Sequence, residues 1–138
     1  TAADLLGPLP PDTAVYTCGP VPMLESIRRE LVGRPDVELH YERFSPPPVE
    51  DGKPFTITLK SGETIGVAAD ETALSALLKS RPHTPYSCRQ GFCGTCRVRV
   101  TDGEIDHRDS LLTEPERADG IMLACISRAA GDHLAVDL

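Results

Sequence analysis

The pattern of apolar and polar residues divides the chain near residue 50 into two pieces. In the first piece, AVYT at 14–17 is a short apolar run typical of a buried strand. PMLESIRRELV at 22–32 repeats its apolar residues every three or four positions and predicts a helix, and VELHYERF at 37–44 predicts a second strand. Residues 13–44 therefore predict one strand–helix–strand crossover of a parallel α/β sheet. Because one crossover cannot bury both faces of a sheet, we interpret it as the end of a larger domain.

Two other stretches lack this periodicity. TAADLLGPLPPD, at residues 1–12, predicts a loop. SPPPVEDGKP, at 45–54, contains four prolines and predicts a semi-extended linker with little capacity to fold. We therefore predict a front fragment at 1–44, a linker at 45–52 and a second domain at 53–138.

The second domain predicts strands wrapped around one main helix, which is an α+β arrangement. FTITLK at 55–60 alternates apolar and polar residues and predicts a hairpin with TIGV at 64–67. Asp70 is the predicted N-cap of a helix through ETALSALLKS. Later segments predict a hairpin from RVRVT (97–101) and EID (104–106), a short helix in SLLTEPER (110–117), and closing strands in IMLACI (121–126) and HLAVDL (133–138).

The charge balance and the cysteine count limit the kinds of partner and the cellular setting that we expect. The chain has 14 basic and 21 acidic residues, a net charge of -7. This balance disfavours binding to nucleic acid, whose phosphates attract basic surfaces, and permits docking to a basic protein. No run approaches the roughly 18 apolar residues of a membrane span, so we expect no membrane segment. Five cysteines and no leader sequence disfavour a secreted disulfide scaffold, so we expect a reducing, cytoplasmic setting.

Four of the five cysteines form a metal-binding pattern. Cys88, Cys93 and Cys96 follow a C-x4-C-x2-C spacing, and Cys125 lies farther along the chain. This compact run with one distant cysteine is the plant-type arrangement for a [2Fe–2S] cluster. The four thiolates are therefore the predicted ligands of such a cluster.

The residues between these cysteines suit a loop that surrounds a cluster. Gly91 and Gly94 permit tight turns. We expect the backbone N–H groups from Arg89 through Thr95 to point at the sulfurs and to stabilise the negative charge of the cluster. Arg89 itself could pair with a carboxylate or offset cluster charge, and the sequence leaves both options open.

Other metal sites are less consistent with the spacing. Structural zinc usually uses paired C-x2-4-C motifs, whereas Cys125 stands alone. A Rieske centre needs two histidine ligands, and His83 and His107 have no such spacing with the cysteines. A zinc-stabilised interaction domain without a redox role remains the alternative.

Three segments resemble the ferredoxin domain of the phthalate dioxygenase reductase family: YSCRQGFCGTCRVRV, HRDSLLTEPER and IMLACISRA. VYTCGPVPML and HYERF resemble the end of the nicotinamide domain in the same family. The resemblance covers essentially the whole chain. It implies a β-grasp-like plant-type ferredoxin domain, preceded by the strand–helix–strand remnant of an α/β nicotinamide-binding domain. The same module follows a haem domain in self-sufficient cytochromes P450.

The resemblance also implies roles in the front fragment. Cys18, followed by Gly19 and Pro20, lies at the carboxyl end of a parallel strand, where α/β sheets bind ligands. In the family this cysteine lies by the reactive carbon of nicotinamide, and the position of Phe44 covers the flavin. Without the resemblance, Cys18 would be read as a small buried residue and Phe44 as an ordinary core residue. Both family roles require a flavin domain that this chain lacks.

The implied activity is a relay of electrons. Hydride would pass from NAD(P)H to FMN in upstream reductase domains, and single electrons would pass through the cluster to a cytochrome P450 haem or an oxygenase iron centre. This chain would perform only the last step, so we name no catalytic acid, base or nucleophile. Two remaining patterns have ordinary interpretations. His107-Arg108-Asp109 predicts a turn with solvated charges. The alternation of Asp102, Glu104 and Asp106 predicts one solvated face of a strand. Docking of that face to a basic acceptor is the alternative.

Overall fold

The computed structural model describes residues 1–138 as two compact units, Thr1–Pro46 and Pro47–Leu138. The first unit contains α1 (Ala2–Leu6), β1 (Thr13–Cys18), α2 (Val21–Glu30) and β2 (Val37–Glu42). β1 and β2 pair in parallel, with Cys18 opposite Glu42. α2 buries Leu24 and Ile27, three residues apart on one face. This unit is the strand–helix–strand crossover that the apolar pattern predicts.

Helix α1 corrects the prediction of a loop at residues 1–12. The Thr1 side chain accepts a hydrogen bond from the Asp4 backbone N–H, and the Asp4 carboxylate bonds back to Thr1 in a capping box. Capping of this kind satisfies the N–H groups that a helix start leaves without partners. The helix is too short, at 5 residues, for a hydrophobic period to reveal it.

The second unit is an α+β domain, as predicted. Its elements are β3 (Phe55–Thr58), β4 (Thr64–Val67), α3 (Ala73–Ser80), β5 (Arg97–Asp102), β6 (Ile105–Asp106), α4 (Glu114–Ala118), β7 (Ile121–Leu123), β8 (Arg128–Ala129) and β9 (His133–Val136). Five strands form one sheet in the order β4-β3-β9-β5-β7. β3 and β9 run parallel, and the other neighbours are antiparallel. β6 and β8 form a separate pair.

The core of this unit lies between the sheet and α3. Alternate strand residues point inward, so Phe55 and Ile57 on β3 are buried while their neighbours are half-buried. Leu74 and Leu77 of α3 are at most 1% exposed. Burial of each such side chain contributes about 2 kcal/mol, so these residues fix α3 and the chain segment that follows it.

Two local predictions need correction. The N-cap of α3 is Thr72, whose side chain accepts from the Ser75 backbone N–H, and not Asp70. RVRVT and EID do not form a hairpin, because β5 pairs with β7 and β9 while β6 pairs with β8. Strand alternation reports burial but not the identity of a partner distant in sequence, so the pattern favoured the nearest strand.

The connector, residues 45–53, makes hydrogen bonds that its proline-rich sequence does not predict. The Glu50 carbonyl accepts a hydrogen bond from Arg108 at 2.5 Å, and the Lys53 carbonyl accepts one from Arg128 at 2.9 Å. A Cβ atom at Gly52 would lie 1.8 Å from the Ala69 carbonyl oxygen. These contacts attach residues 50–53 to the second unit. No helix in residues 1–138 is long and apolar enough to cross a lipid bilayer.

Candidate metal centre

Two of the four cysteines lie inside the second unit, and we call Cys96 and Cys125 the inner pair. Each is 3% exposed. Cys96 immediately precedes β5, and its carbonyl accepts a hydrogen bond from the Ala124 N–H at 3.1 Å. The Ala124 carbonyl in turn accepts from the Leu74 N–H at 2.8 Å. These two hydrogen bonds hold the segments that carry Cys96 and Cys125 next to each other and to helix α3.

The outer pair, Cys88 and Cys93, lies on the loop between α3 and β5. Cys93 is exposed and Cys88 is half-buried. The Cys88 N–H donates to Cys93 Sγ at 3.5 Å. The sulfurs are thus grouped two and two, with one pair toward solvent and the other in the core.

The loop also directs other donors at these sulfurs. The Gln90 N–H donates to Cys88 Sγ at 3.3 Å, the Thr95 N–H donates to Cys93 Sγ at 3.4 Å, and the Gly91 N–H bonds to the Cys125 sulfur. Hydrogen bonds of this kind stabilise negative sulfur.

The glycines permit this path of the loop. Gly91 and Gly94 have φ angles of 84° and 73°, which L side chains rarely adopt. A Cβ at Gly91 would lie 3.0 Å from the Ile126 side chain, next to Cys125. Glycine at this position therefore lets the loop approach the segment that carries the fourth cysteine.

Hydrogen bonds and burial shift the pKa values of three of the four clustered cysteines. Hydrogen bonds from the Thr95 side chain and from the Cys88 and Thr95 N–H groups lower the pKa of Cys93 to about 6. The Cys125 side chain donates to Cys96 and lowers the pKa of Cys96 to about 7. That same hydrogen bond, together with burial, raises the pKa of Cys125. The thiolate is the form of cysteine that binds metals.

The arrangement fits a two-iron group better than a single ion. Four cysteines in two pairs match the requirement of a [2Fe–2S] cluster for two thiolates on each iron. A zinc site instead gathers four sulfurs around one ion at about 2.3 Å. No group of three or more His, Cys, Asp and Glu residues could hold a single metal ion, so the zinc alternative finds no support.

A buried acid lies beside this centre that the sequence did not reveal. The Asp109 side chain has no solvent exposure, which corrects the prediction of solvated charges at that turn. Its carboxylate accepts from the N–H groups of Leu111 and Leu112 at 3.1 and 2.8 Å, and Ser127 Oγ lies 3.5 Å away. Burial opposes ionisation, but these donors and Arg117 outweigh it and hold the pKa of Asp109 below its ordinary value. Asp109 thus links the loop before α4 to the segment after Cys125.

The front-unit candidates Cys18 and Phe44 lie at and just beyond the carboxyl ends of β1 and β2. Cys18 ends β1 and is exposed, and Phe44, two residues beyond β2, is 72% exposed. Cys18 lines a cleft of about 630 Å³, whose walls include Tyr16 and His40. Pro20 precedes α2, and the Met23 side chain covers Gly19, where a Cβ would lie 2.4 Å from Met23 Cε. Because the side chains of Cys18 and Phe44 are both exposed, neither belongs to the core of this unit.

Sequence reasoning missed two donors at the site. The Cys88 N–H group donates to Cys93 Sγ, and the Thr95 side chain lowers the pKa of Cys93. In the sequence Cys93-Gly94-Thr95-Cys96 the Thr95 hydroxyl lies between two candidate ligands, which is a usable signal for such a donor. The grouping of sulfurs into inner and outer pairs depends on the Ala124 hydrogen bonds and has no signature in the spacing.

The comparisons with known proteins agree with this geometry. Residues 51–130 match the family described as the 2Fe-2S iron-sulfur cluster binding domain. The chain is 37% identical over 129 residues to the phthalate 4,5-dioxygenase oxygenase reductase subunit of Pseudomonas putida, covering 91% of this chain and 40% of the relative. The chain thus spans about two fifths of the length of the curated relatives it matches.

Two solved structures extend the comparison. A phthalate dioxygenase reductase, described as a modular structure for electron transfer from pyridine nucleotides to [2Fe-2S], matches with a TM-score of 0.61 and 32% identity, covering 91% of this chain and 40% of that one. An intact type IV self-sufficient cytochrome P450 monooxygenase matches with a TM-score of 0.61 and 41% identity, covering 100% of this chain and 19% of that one. The predicted resemblance and the predicted [2Fe–2S] cofactor are confirmed. The chain belongs to the 2Fe-2S iron–sulfur cluster binding domain family and is similar to phthalate dioxygenase reductases.

Proposed function

We propose that this chain transfers single electrons through a [2Fe–2S] cluster held by Cys88, Cys93, Cys96 and Cys125. The observation that carries the proposal is the placement of two cysteines on the loop, two buried cysteines in the core, and backbone N–H groups of the loop directed at sulfur. The cluster supplies a centre that accepts and releases one electron at a time. The chain's own residues direct N–H groups at the sulfurs, lower the pKa of Cys93 and of Cys96, and keep the inner pair away from water.

The parent protein of this activity would be a reductase of an oxygenase system. Relatives of greater length are named as reductase subunits of oxygenases, and one structural neighbour is a self-sufficient cytochrome P450. We propose upstream FMN and nicotinamide domains as the electron source, and an oxygenase iron centre or a P450 haem as the acceptor. Cys18 and Phe44 would then lie at the nicotinamide and flavin side, since both are exposed at the ends of β1 and β2. Free thiolates require reducing conditions, which favours a cytoplasmic location.

Anaerobic reduction of the purified 138-residue chain tests the proposal. Titration with dithionite should bleach the visible spectrum with one electron per two irons. Excess NADH alone should leave the spectrum unchanged, because the cluster cannot accept a hydride. NADH with a separately added flavin reductase should restore bleaching. A colourless protein that binds zinc would overturn the proposal, and rapid bleaching by NADH alone would overturn the assignment of hydride chemistry to other domains.

A further inference from the structure

Exposed apolar side chains in the second unit concentrate around the cysteine loop. Four large apolar residues of Pro47–Leu138 are exposed: Tyr86, Phe92, Leu111 and Leu138. Phe92, next to Cys93, is 66% exposed, and Tyr86, two residues before Cys88, is 43% exposed. Leu111 lies against Gly94, where a Cβ would be 3.0 Å from Leu111 Cδ2. Three of the four therefore surround the outer pair of cysteines, and exposed apolar groups at such a position favour contact with another protein.

The charge on this part of the chain is positive although the whole chain is acidic. From residue 72 to residue 101 there are five Lys and Arg residues and no Asp or Glu. Arg81, Arg97 and Arg99 of this stretch form ion pairs with carboxylates from outside it. Lys79 likewise pairs with Glu71. Only the arginine inside the cysteine loop has no carboxylate partner.

That residue, Arg89, differs from the other six arginines of the second unit. Five of the six are paired with a carboxylate, and Arg128 donates to backbone carbonyls. The Arg89 guanidinium instead lies over the exposed ring of Tyr86, 4.5 Å from its centroid. A cation on an exposed ring keeps its N–H donors available to a further acceptor.

The backbone of Arg89 supports a functional role. Its φ angle is 55°, in the left-handed region that non-glycine residues seldom adopt. A bulky residue retained in such a conformation is more common at functional sites than elsewhere. Arg89 directly follows Cys88 in the chain, and the Gln90 N–H bonds to Cys88 Sγ. The loop that bears the outer pair therefore also carries this positive charge, over the Tyr86 ring.

We infer that Tyr86, Arg89 and Phe92, here named the Arg89 surface, dock an electron-accepting protein that presents a carboxylate beside its own cofactor. The inference rests on the proposed electron-transfer function. The carboxylate would pair with the Arg89 guanidinium, and the apolar rings would exclude water from the contact. One electron would leave the reduced chain and reduce one ferric haem or iron centre, with no bond formed or broken. This acceptor is acidic at its contact, in contrast to the basic acceptor considered for the Asp102–Asp106 face.

Two haem proteins serve as probes of this surface in the reduced 138-residue chain. Cytochrome b5 exposes its haem edge within a ring of carboxylates, and cytochrome c exposes its haem edge within a ring of lysines. Stopped-flow mixing at low ionic strength gives the rate of haem reduction for each. Arg89→Asn removes the charge and tolerates the left-handed backbone, and Arg89→Lys keeps the charge. Arg99→Asn is the matched control, because it removes a half-exposed arginine that already pairs with Asp119.

We expect Arg89→Asn to slow the reduction of cytochrome b5 by about fivefold and to leave or raise the rate with cytochrome c. Arg89→Lys should keep most of the wild-type rate, Arg99→Asn should change neither rate, and added salt should reduce the difference. The visible spectrum and midpoint potential should match wild type in all variants. Equal cytochrome b5 rates in wild type and Arg89→Asn would overturn the docking inference and leave the proposed function intact. A changed potential with both rates moving together would also overturn it, since Arg89 would then tune the cluster. A wild-type chain that reduces neither probe after dithionite treatment would instead overturn the proposed function.

Discussion

At the scale of single residues, the five cysteines have the same side chain and differ in their position in the fold. Cys18 ends a strand of the first unit and is exposed, while the other four cysteines belong to the second unit, two of them on its loop and two buried in its core. The inner pair depends on Ala124, whose backbone joins the Cys96 carbonyl to the first turn of α3. Loss of one sulfur would leave an iron without a ligand, whereas loss of Cys18 would not touch the site.

We therefore predict that replacing any one of Cys88, Cys93, Cys96 and Cys125 with alanine abolishes the cluster. Assays of iron and inorganic sulfide on the purified variants should fall to background. Cys18→Ala is the matched control and should keep the wild-type content. Loss of iron from the Cys18 variant, or its retention in a Cys125 variant, would show that the ligand set is wrong.

A second prediction at this scale concerns Asp109. Its buried carboxylate accepts the Leu111 and Leu112 N–H groups, so Asp109→Asn should lower the free energy of unfolding by roughly 2 kcal/mol at neutral pH. The folded-state pKa of Asp109 is lowered, so its contribution is complete above the unfolded pKa and is lost only as pH falls through the folded value. The difference between wild type and variant, measured by urea unfolding, should stay constant from pH 7 to about 5. A difference that shrinks within that window would contradict a lowered pKa.

At the scale of elements, the second unit depends on one buried arginine. Arg128 is 2% exposed, lies over the Phe55 ring and donates to the carbonyls of Glu71, Lys53 and Ala68. These carbonyls come from the connector and from the turn before α3. The Arg128 guanidinium therefore joins β8 to the connector and to the turn before α3, next to the start of β3.

Replacing Arg128 with methionine should lower the free energy of unfolding by about 3 kcal/mol, since buried carbonyls lose their donors. Arg99→Met is the control. Arg99 is half-exposed, and loss of a surface ion pair should cost about 0.5 kcal/mol. Urea unfolding followed by circular dichroism gives both values. Similar losses in the two variants would mean that the carbonyls find other donors or water.

The sequence predicts the elements of this unit well because their patterns are local. Alternation in FTIT and TIGV gives β3 and β4, and Thr-x-x-Glu before a short apolar-poor stretch is consistent with the capping box of α4. The partners of β5 and β6, and the burial of Asp109 and Arg128, depend on contacts between distant residues. At the metal centre, the four candidate ligands follow from the cysteine spacing alone. The grouping of the sulfurs into an inner and an outer pair, and the position of Arg89 over Tyr86 and not beside a carboxylate, are visible only in the folded structure.

At the scale of the whole molecule, the connector decides what can be separated. Pro47–Leu138 contains the complete five-stranded sheet and all four clustered cysteines. The domain boundaries at 44–45 and 52–53 remain predictions. Within the connector, however, Glu50, Asp51 and Lys53 all offer carbonyls to arginines of the second unit. The proline-rich composition predicts an extended segment and does not reveal these hydrogen bonds.

Two truncated chains should therefore differ although both keep the cluster. A chain that begins at Pro47 retains the carbonyls of Glu50 and Lys53, so its free energy of unfolding should match the cluster domain of the full chain within about 1 kcal/mol. A chain that begins at Pro54 lacks those acceptors and leaves Arg108 and Arg128 short of partners, so it should be less stable by roughly 2 kcal/mol. Visible absorbance reports the cluster in each chain, and its loss during urea unfolding reports the stability. Equal stabilities would mean that residues 47–53 act only as a tether. Bleaching of the Pro47 chain would mean that the cluster domain needs the first unit, because the core and the sulfur pairs of Pro47–Leu138 would then be insufficient on their own.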